Sequence, residues 1–164
     1  MSKRRAIYPG TFDPVTFGHI DILVRATAIF EEVIVALSEK SAKSTLFSLP
    51  ERLELLKSVV SHTKFHCPVR VETFDGLLVE FATRKKVSAL VRGLRAVSDF
   101  EYEFQMALMN RHQSRHVETV FLMPDEKYVY LSSSMVKEVA RLNGGLSHFL
   151  PTVVRNALRE KLKF

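Results

Sequence analysis

Apolar positions along this chain fall into two alternating patterns. Short runs at residues 6–8, 33–37, 69–73, 89–92 and 119–123 are rich in Val, Ile, Leu and Ala and read as strands. Between them apolar residues recur at three- and four-residue spacing, the period of a helix with one buried face. Ile20, Leu23, Val24, Thr27 and Ala28 form the first such stripe, and Leu49, Leu53, Leu56 and Val60 the second. Ser48-Leu49-Pro50-Glu51 predicts a capping box with proline in the first turn, and Ser98-Asp99-Phe100-Glu101 predicts another box. Alternation of short apolar strands with helices predicts an α/β fold. The expected form is a single-domain, doubly wound, five-stranded parallel sheet over residues 1–164, with helices on both faces. No repeat, low-complexity tract or linker interrupts it.

The helix expected from Ser98 carries apolar residues on two sides. Phe100, Phe104, Ala107 and Leu108 lie on one, and Tyr102, Met106 and Met109 almost opposite. One face can cover the sheet. The other calls for a partner, unless the C-terminal helix over residues 150–162 covers it.

In a doubly wound sheet, ligands bind beyond the carboxyl ends of the strands, at the switch point. The unusual segments of this chain sit at that end. The first strand runs into Tyr8-Pro9-Gly10-Thr11-Phe12-Asp13-Pro14-Val15-Thr16-Phe17-Gly18-His19, a connection rich in turn formers. It aims the backbone N–H groups of a helix start, together with the helix dipole, at whatever sits above the strand, and these favour phosphate. It is neither a G-x-G-x-x-G nor a Walker A loop. The other strands lead into residues 38–43, Phe74-Asp75-Gly76-Leu77-Leu78, Arg92-Gly93-Leu94-Arg95 and 123–134. Five segments distant in sequence are thus expected to converge on one rim.

Each candidate on that rim has a plainer reading. His19 could be a solvated helix-start residue; beside Thr16 and Gly18 it reads as a phosphate donor that carries no permanent charge. Arg92 and Arg95, flanking Gly93, could form surface ion pairs; two guanidinium groups also suit bidentate phosphate binding. Ser132, Ser133 and Ser134 could be N-cap residues, and also suit a second phosphate-binding helix start. Lys40 and Lys43 share a polar loop, and the sequence alone does not choose between them. Asp13 reads as a turn residue.

Composition narrows the classes. The chain has 164 residues and a formal net charge of +6, which raises nucleic acid as a partner. Its basic residues are scattered, however, and the charge equally suits small polyphosphate ligands. Nucleic acid is not expected. Nor is a membrane, because no apolar run nears about 20 residues. A single cysteine, Cys67, excludes an internal disulfide and fits a reducing cytoplasm. No metal-ligand spacing stands out.

Four segments carry a resemblance. T-F-G-H after the first strand is similar to the signature of the nucleotidyltransferase superfamily. Together with R-G-L-R-A-V-S-D-F-E-Y-E, F-L-M-P and L-S-S-S-M-V-K-E-V-A-R, it resembles the bacterial phosphopantetheine adenylyltransferases, from Arg5 to about Pro151. The resemblance implies transfer of the adenylyl group of ATP to 4′-phosphopantetheine, giving dephospho-coenzyme A and pyrophosphate. It implies His19, Lys43 and Arg95 as catalytic residues, and Thr11, Lys43, Leu78 and Arg92 on the acceptor. It implies Thr11, Phe12, His19, Gly93, Leu94, Arg95, Glu103, Tyr128, Val129, Tyr130, Leu131, Ser132, Ser133 and Ser134 on ATP. It further implies Mg2+ on the ATP phosphates, coenzyme A as a feedback ligand, and a hexamer built as a dimer of trimers. Three positions depart from the commonest pattern: Phe17 where Asn is frequent, Leu78 where Met is frequent, and Tyr128 where Trp is common. A nucleotidyltransferase acting on nicotinamide mononucleotide or an alcohol phosphate is the alternative within the superfamily. A nucleotide-sensing or RNA-binding protein without turnover is the alternative outside it.

Overall fold

A computed structural model describes residues 4–39 and 44–163, apart from the side chain of Ser98. The expected Lys40 and Lys43 lie outside the described residues. Five strands form one parallel sheet: β1 (Arg5–Gly10), β2 (Glu32–Ser38), β3 (Val69–Phe74), β4 (Ala89–Gly93) and β5 (Glu118–Leu122). The helices are α1 (Phe17–Ile29), α2 (Leu49–Ser61), α3 (Leu78–Arg84), α4 (Val97–Gln113), α5 (Ser133–Arg141) and α6 (Thr152–Leu162). The strand order is β3-β2-β1-β4-β5, so the winding reverses between β1 and β4. Ile7 pairs with Leu90 across that seam, and Gly10 with Leu37 on the other side.

Successive side chains of a strand point to opposite faces, and two cores result. Ala6, Tyr8, Val33, Val35, Leu37 and Val91 face one way, against Leu23, Leu56, Val136, Leu150 and Leu158 from α1, α2, α5, α6 and the segment before α6. Ile7, Ile34, Ala36 and Leu90 face the other way, against Val79, Phe81 and Ala82 of α3. The central strands are buried on both faces, as their continuous apolar runs require. The edge strand β3 is only half-buried, which explains its Arg70 and Glu72.

Local signals mostly hold, with instructive differences. The Ser48 box forms: Ser48 Oγ accepts from the Glu51 amide, and Glu51 accepts from the Ser48 amide at 2.7 Å. Such a cap is worth about 1 kcal/mol. The expected Ser98 box does not form. The cap lies two residues earlier, at Ala96, α4 begins at Val97, and no side chain caps it. Its first turn is held instead by the Asp99 amide donating to Ala96 O and by an ion pair between Arg95 and Asp99, four residues apart. In α1 the buried side is Ile22, Leu23, Ala26 and Thr27, rotated from the expected stripe; Ala28 is exposed. Full burial of Ile22 and Leu23 contributes roughly 1.5–3 kcal/mol each. In α2 the buried row includes Arg52, which no apolar pattern announces.

α6 packs on α2 and α5, so it does not cover α4. Phe100, Phe104 and Leu108 are 46%, 46% and 47% exposed, and Tyr102 and Met109 are more exposed still. Both apolar sides of α4 therefore lie open in the single chain.

Candidate active site

The mouth of α1 is built by a reciprocal cap. Thr16 Oγ1 accepts from the His19 amide at 3.4 Å, while His19 Nδ1 accepts from the Thr16 amide at 3.0 Å. A ring nitrogen that accepts from a backbone N–H carries no proton, so the neutral imidazole holds its proton on Nε2. Burial, reinforced by the charges of Arg95 and Arg92, lowers the His19 pKa to about 4. At neutral pH His19 is thus an uncharged donor through Nε2. The Phe12 ring, 3% exposed, stands edge-on to it at 5.1 Å between centroids and fixes the imidazole plane. Phe12 has a φ of 49°, a left-handed conformation that a bulky residue adopts only when its surroundings enforce it. Gly18 sits in the cleft wall, where an added Cβ would meet only ordinary contacts at 3.6–3.7 Å. The protein itself does not demand glycine there; the space belongs to the cleft.

Across the seam, β4 ends in two arginines with different anchors. Arg92 Nε donates to Glu103 at 2.7 Å, its Nη2 pairs with the other carboxylate oxygen, and its Nη1 donates to Pro9 O at 3.3 Å. Burial opposes the Arg92 charge, but the bonds to Glu103 outweigh it and raise the pKa. Arg95 Nε and Nη2 pair with Asp99 at 3.0 and 3.2 Å, and Nη1 donates to Leu131 O at 2.9 Å. A guanidinium has five N–H donors. Each arginine therefore keeps two beyond these described bonds, in an orientation fixed by a carboxylate. Gly93 between them lies against Ile22 of α1, where a Cβ would come within 3.3 Å of the isoleucine side chain. Helix and strand approach too closely for alanine without displacing Ile22.

α5 supplies a second mouth. Ser132 is its N-cap and accepts from the Met135 amide at 3.1 Å. Ser133 Oγ donates to Pro14 O at 2.8 Å, and Lys137 Nζ meets Asp13 Oδ2 at 2.6 Å, so α5 is tied to the loop that leads into α1. The segment before α5 is held from α1: the Asp125 amide donates to Asp21 Oδ2 at 2.9 Å. Phe17 and Tyr128, two of the departures from the commonest pattern, stack on each other at 6.3 Å.

These elements enclose a cleft of about 390 Å3 at the switch point. Of the residues singled out from sequence, Thr11, Phe12, His19, Arg92, Gly93, Arg95, Glu103, Tyr128, Leu131, Ser132, Ser133 and Ser134 line it. Leu78, Leu94, Val129 and Tyr130 do not. Leu78 starts α3, the Leu94 amide bonds Leu122 O, and Tyr130 is 55% exposed with its ring against Phe149. Asp13, Asp99 and Lys137 line the cleft without having been assigned to it. Lys137 was within reach of sequence reasoning, since it lies one turn beyond Ser133 on the same helix face.

The arrangement suits an anion with several phosphates. It combines two helix mouths, a neutral imidazole donor and two oriented guanidinium groups. The lining carboxylates Asp13, Asp99 and Glu103 are each engaged by a cation. None stands ready as a general base. Among the described residues, no group of three or more His, Cys, Asp or Glu could hold a metal ion. No described helix is long and apolar enough to cross a membrane.

Comparison with known proteins meets this geometry. A family model described as cytidylyltransferase-like matches residues 7–139. A phosphopantetheine adenylyltransferase of Caldanaerobacter subterraneus subsp. tengcongensis is 56% identical over 160 residues, covering 98% of each chain. One of Geobacter sulfurreducens is 51% identical over 161 residues, 98% of this chain and 96% of that protein. Among solved structures, a putative nicotinate-nucleotide adenylyltransferase from Vibrio parahaemolyticus superposes with a TM-score of 0.70 at 17% identity, covering 98% of this chain and 94% of that one. The Plasmodium falciparum nicotinic acid mononucleotide adenylyltransferase complexed with NaAD gives 0.73 at 13% identity, covering 99% and 97%. At such identities these two structures share the fold alone.

Proposed function

The chain belongs to the phosphopantetheine adenylyltransferases, within the cytidylyltransferase-like family, and we propose that the switch-point cleft is where its transfer takes place. The chain is a nucleotidyltransferase of coenzyme A biosynthesis, which passes the adenylyl group of ATP to 4′-phosphopantetheine and forms dephospho-coenzyme A and pyrophosphate. The observation that carries the site assignment is the meeting of both helix mouths, His19 and the two arginines around one cleft.

The step needs little proton chemistry. The acceptor is a phosphomonoester whose second pKa is about 6, so it is already largely dianionic at neutral pH. Its oxygen attacks the α-phosphorus of ATP, a new P–O bond forms, and the bond to the β-phosphate oxygen breaks to release pyrophosphate. The protein's task is to align these groups and to stabilise charge as it builds. His19 Nε2–H and the amides at the α1 mouth face the α-phosphate, with Thr11 and the Phe12 backbone beside them. Gly93, Arg95, Glu103, Tyr128, Leu131 and the α5 mouth with Ser132 to Ser134 surround the rest of ATP. Arg92, held by Glu103, takes the acceptor's phosphate. Lys43 completes the charge clamp, and Leu78, Leu94, Val129 and Tyr130 act at the margins of the substrates. Mg2+ would come with the ATP phosphates and offset their charge, and since Asp13, Asp99 and Glu103 are each engaged by a cation, it would need no carboxylate of the cleft. Coenzyme A contains both halves of the product, so it competes for this cleft as a feedback ligand.

Purified protein with ATP, Mg2+ and 4′-phosphopantetheine is expected to release pyrophosphate in step with acceptor consumed. Equal release with nicotinamide mononucleotide in place of the acceptor would overturn the acceptor assignment.

The open α4 supports self-association; the hexamer, a dimer of trimers, is what the family resemblance implies, and the single cysteine fits a reducing cytoplasm. A helix with large apolar residues open on two sides calls for a partner to cover at least one of them. Light scattering is expected to report six copies at micromolar concentration; a monomer would reject the assignment.

A further inference from the structure

Asp13 lies in the cleft wall, yet its carboxylate is only 4% exposed and fully engaged. Oδ2 accepts from the Leu46 amide at 2.9 Å and from Lys137 at 2.6 Å, and Oδ1 accepts from the Phe47 amide at 2.9 Å. Burial alone would raise its pKa, but the bonds from Lys137 and the Phe47 and Leu46 amides outweigh this and keep it below the ordinary carboxylate range. Two residues earlier, Thr11 O accepts from Arg52 Nη1 at 2.8 Å. Arg52 projects from α2, is 3% exposed, and its Nε has no hydrogen-bond partner among the described residues. A buried arginine in an apolar helix row is costly unless it holds something in place. Here it holds the loop, with the Asp13 charge nearby. The stretch from Thr11 to Pro14 is therefore gripped by α2, by the segment that precedes α2, and by α5 through Lys137 and Ser133. Two residues beyond that stretch is Thr16, whose amide sets the His19 ring.

We propose that Asp13 and Arg52 are positioning residues for the transfer: they fix the 11–14 loop so that the mouths of α1 and α5 stay aligned on the phosphates of one ATP. Neither residue touches a reacting group, and the proposal rests on the transfer site assigned above. Aligned reactants make the reaction effectively unimolecular, and a shift of about 1 Å can cost roughly a hundredfold in rate. A loosened loop keeps most of the groups that bind ATP but loses their common aim. The cost therefore falls on kcat.

The test is steady-state pyrophosphate release by Asp13→Asn and Arg52→Lys in the full chain, with thermal melts and circular dichroism. Asp13→Asn keeps the shape and one acceptor, and Arg52→Lys keeps the charge while shortening the reach. Leu158→Ala, in the buried row of α6, serves as a control that lowers the melting temperature without removing any of the hydrogen bonds that grip the loop. Both loop variants are expected to lose roughly ten- to a hundredfold in kcat, with the KM for ATP nearly unchanged, while Leu158→Ala keeps wild-type kcat below its melting point. Wild-type kcat in folded loop variants overturns the proposal, and so does a rise in KM alone. Loss of kcat in Leu158→Ala to the same degree also overturns it, because stability would then be the cause. If Asp13→Asn fails to fold, Arg52→Lys decides. A wild-type enzyme inactive with 4′-phosphopantetheine would instead count against the transfer itself.

Discussion

His19→Ala is expected to lower kcat about a hundred- to a thousandfold, the usual cost of removing one preorganised donor from developing charge, while the KM for ATP changes far less. The expectation follows from how the ring is held. Nδ1 is committed to the Thr16 amide, and the Phe12 edge fixes the plane, so Nε2–H keeps one direction. Its low pKa keeps it uncharged, and it therefore attracts the ground-state triphosphate only modestly. A neutral donor gains most when negative charge gathers on the α-phosphate, and an interaction made in the transition state lowers the barrier without equal tightening of substrate. The half-buried His19 side chain contributes little packing, so the fold is expected to survive; circular dichroism checks this. A raised KM with unchanged kcat would mean that His19 serves only ground-state binding.

Arg92→Leu is expected to impair both folding and acceptor binding. Glu103 is 9% exposed and Arg92 is its one described cation, so the substitution strands a buried carboxylate. Breaking a buried pair costs about 3–5 kcal/mol. The Arg92 side chain is 31% exposed, which argues for the lower end, about 3 kcal/mol. For a chain of this size that lowers the melting temperature by roughly 6–12 °C. The KM for 4′-phosphopantetheine should rise about tenfold or more, since charge-assisted hydrogen bonds of about 1.5–3 kcal/mol are lost. The double variant Arg92→Leu/Glu103→Leu separates the two effects. It should recover most of the melting temperature and none of the acceptor affinity. Recovery of both would show that Arg92 acts only through the fold.

The parts of this protein visible in its sequence are those whose physics is local. Parallel strands buried on both faces write themselves as apolar runs, so β1, β2 and β4 stand out. The Ser48 box needs only residues 48 and 51, and both are adjacent in space whatever the rest does. The T-F-G-H mouth is likewise contained within one turn. What stays hidden depends on pairings across the chain. Asp13 reads as a turn residue because its partners, Leu46, Phe47 and Lys137, lie 33 to 124 positions away. Arg52 looks like a solvated helix residue until Thr11 O is placed above it. Glu103 looks like any helix glutamate until β4 brings Arg92 beside α4. The Ser98 box is absent for a related reason: the Arg95–Asp99 pair anchors a turn whose cap, Ala96, lies two residues before the one the local motif suggests.

The transfer proposed for this cleft is direct and in line, with His19 as a donor and no covalent intermediate on the enzyme. It is tested most directly by the stereochemical course at the α-phosphorus. Wild-type protein would be given 4′-phosphopantetheine and ATP with a single sulfur at a defined position on that atom, and the configuration of the thiophosphate in the dephospho-coenzyme A product read by phosphorus NMR. Inversion is expected, because one displacement turns the centre over once. Retention would contradict it: the adenylyl group would have passed through a nucleophile of the protein, with two displacements in place of one.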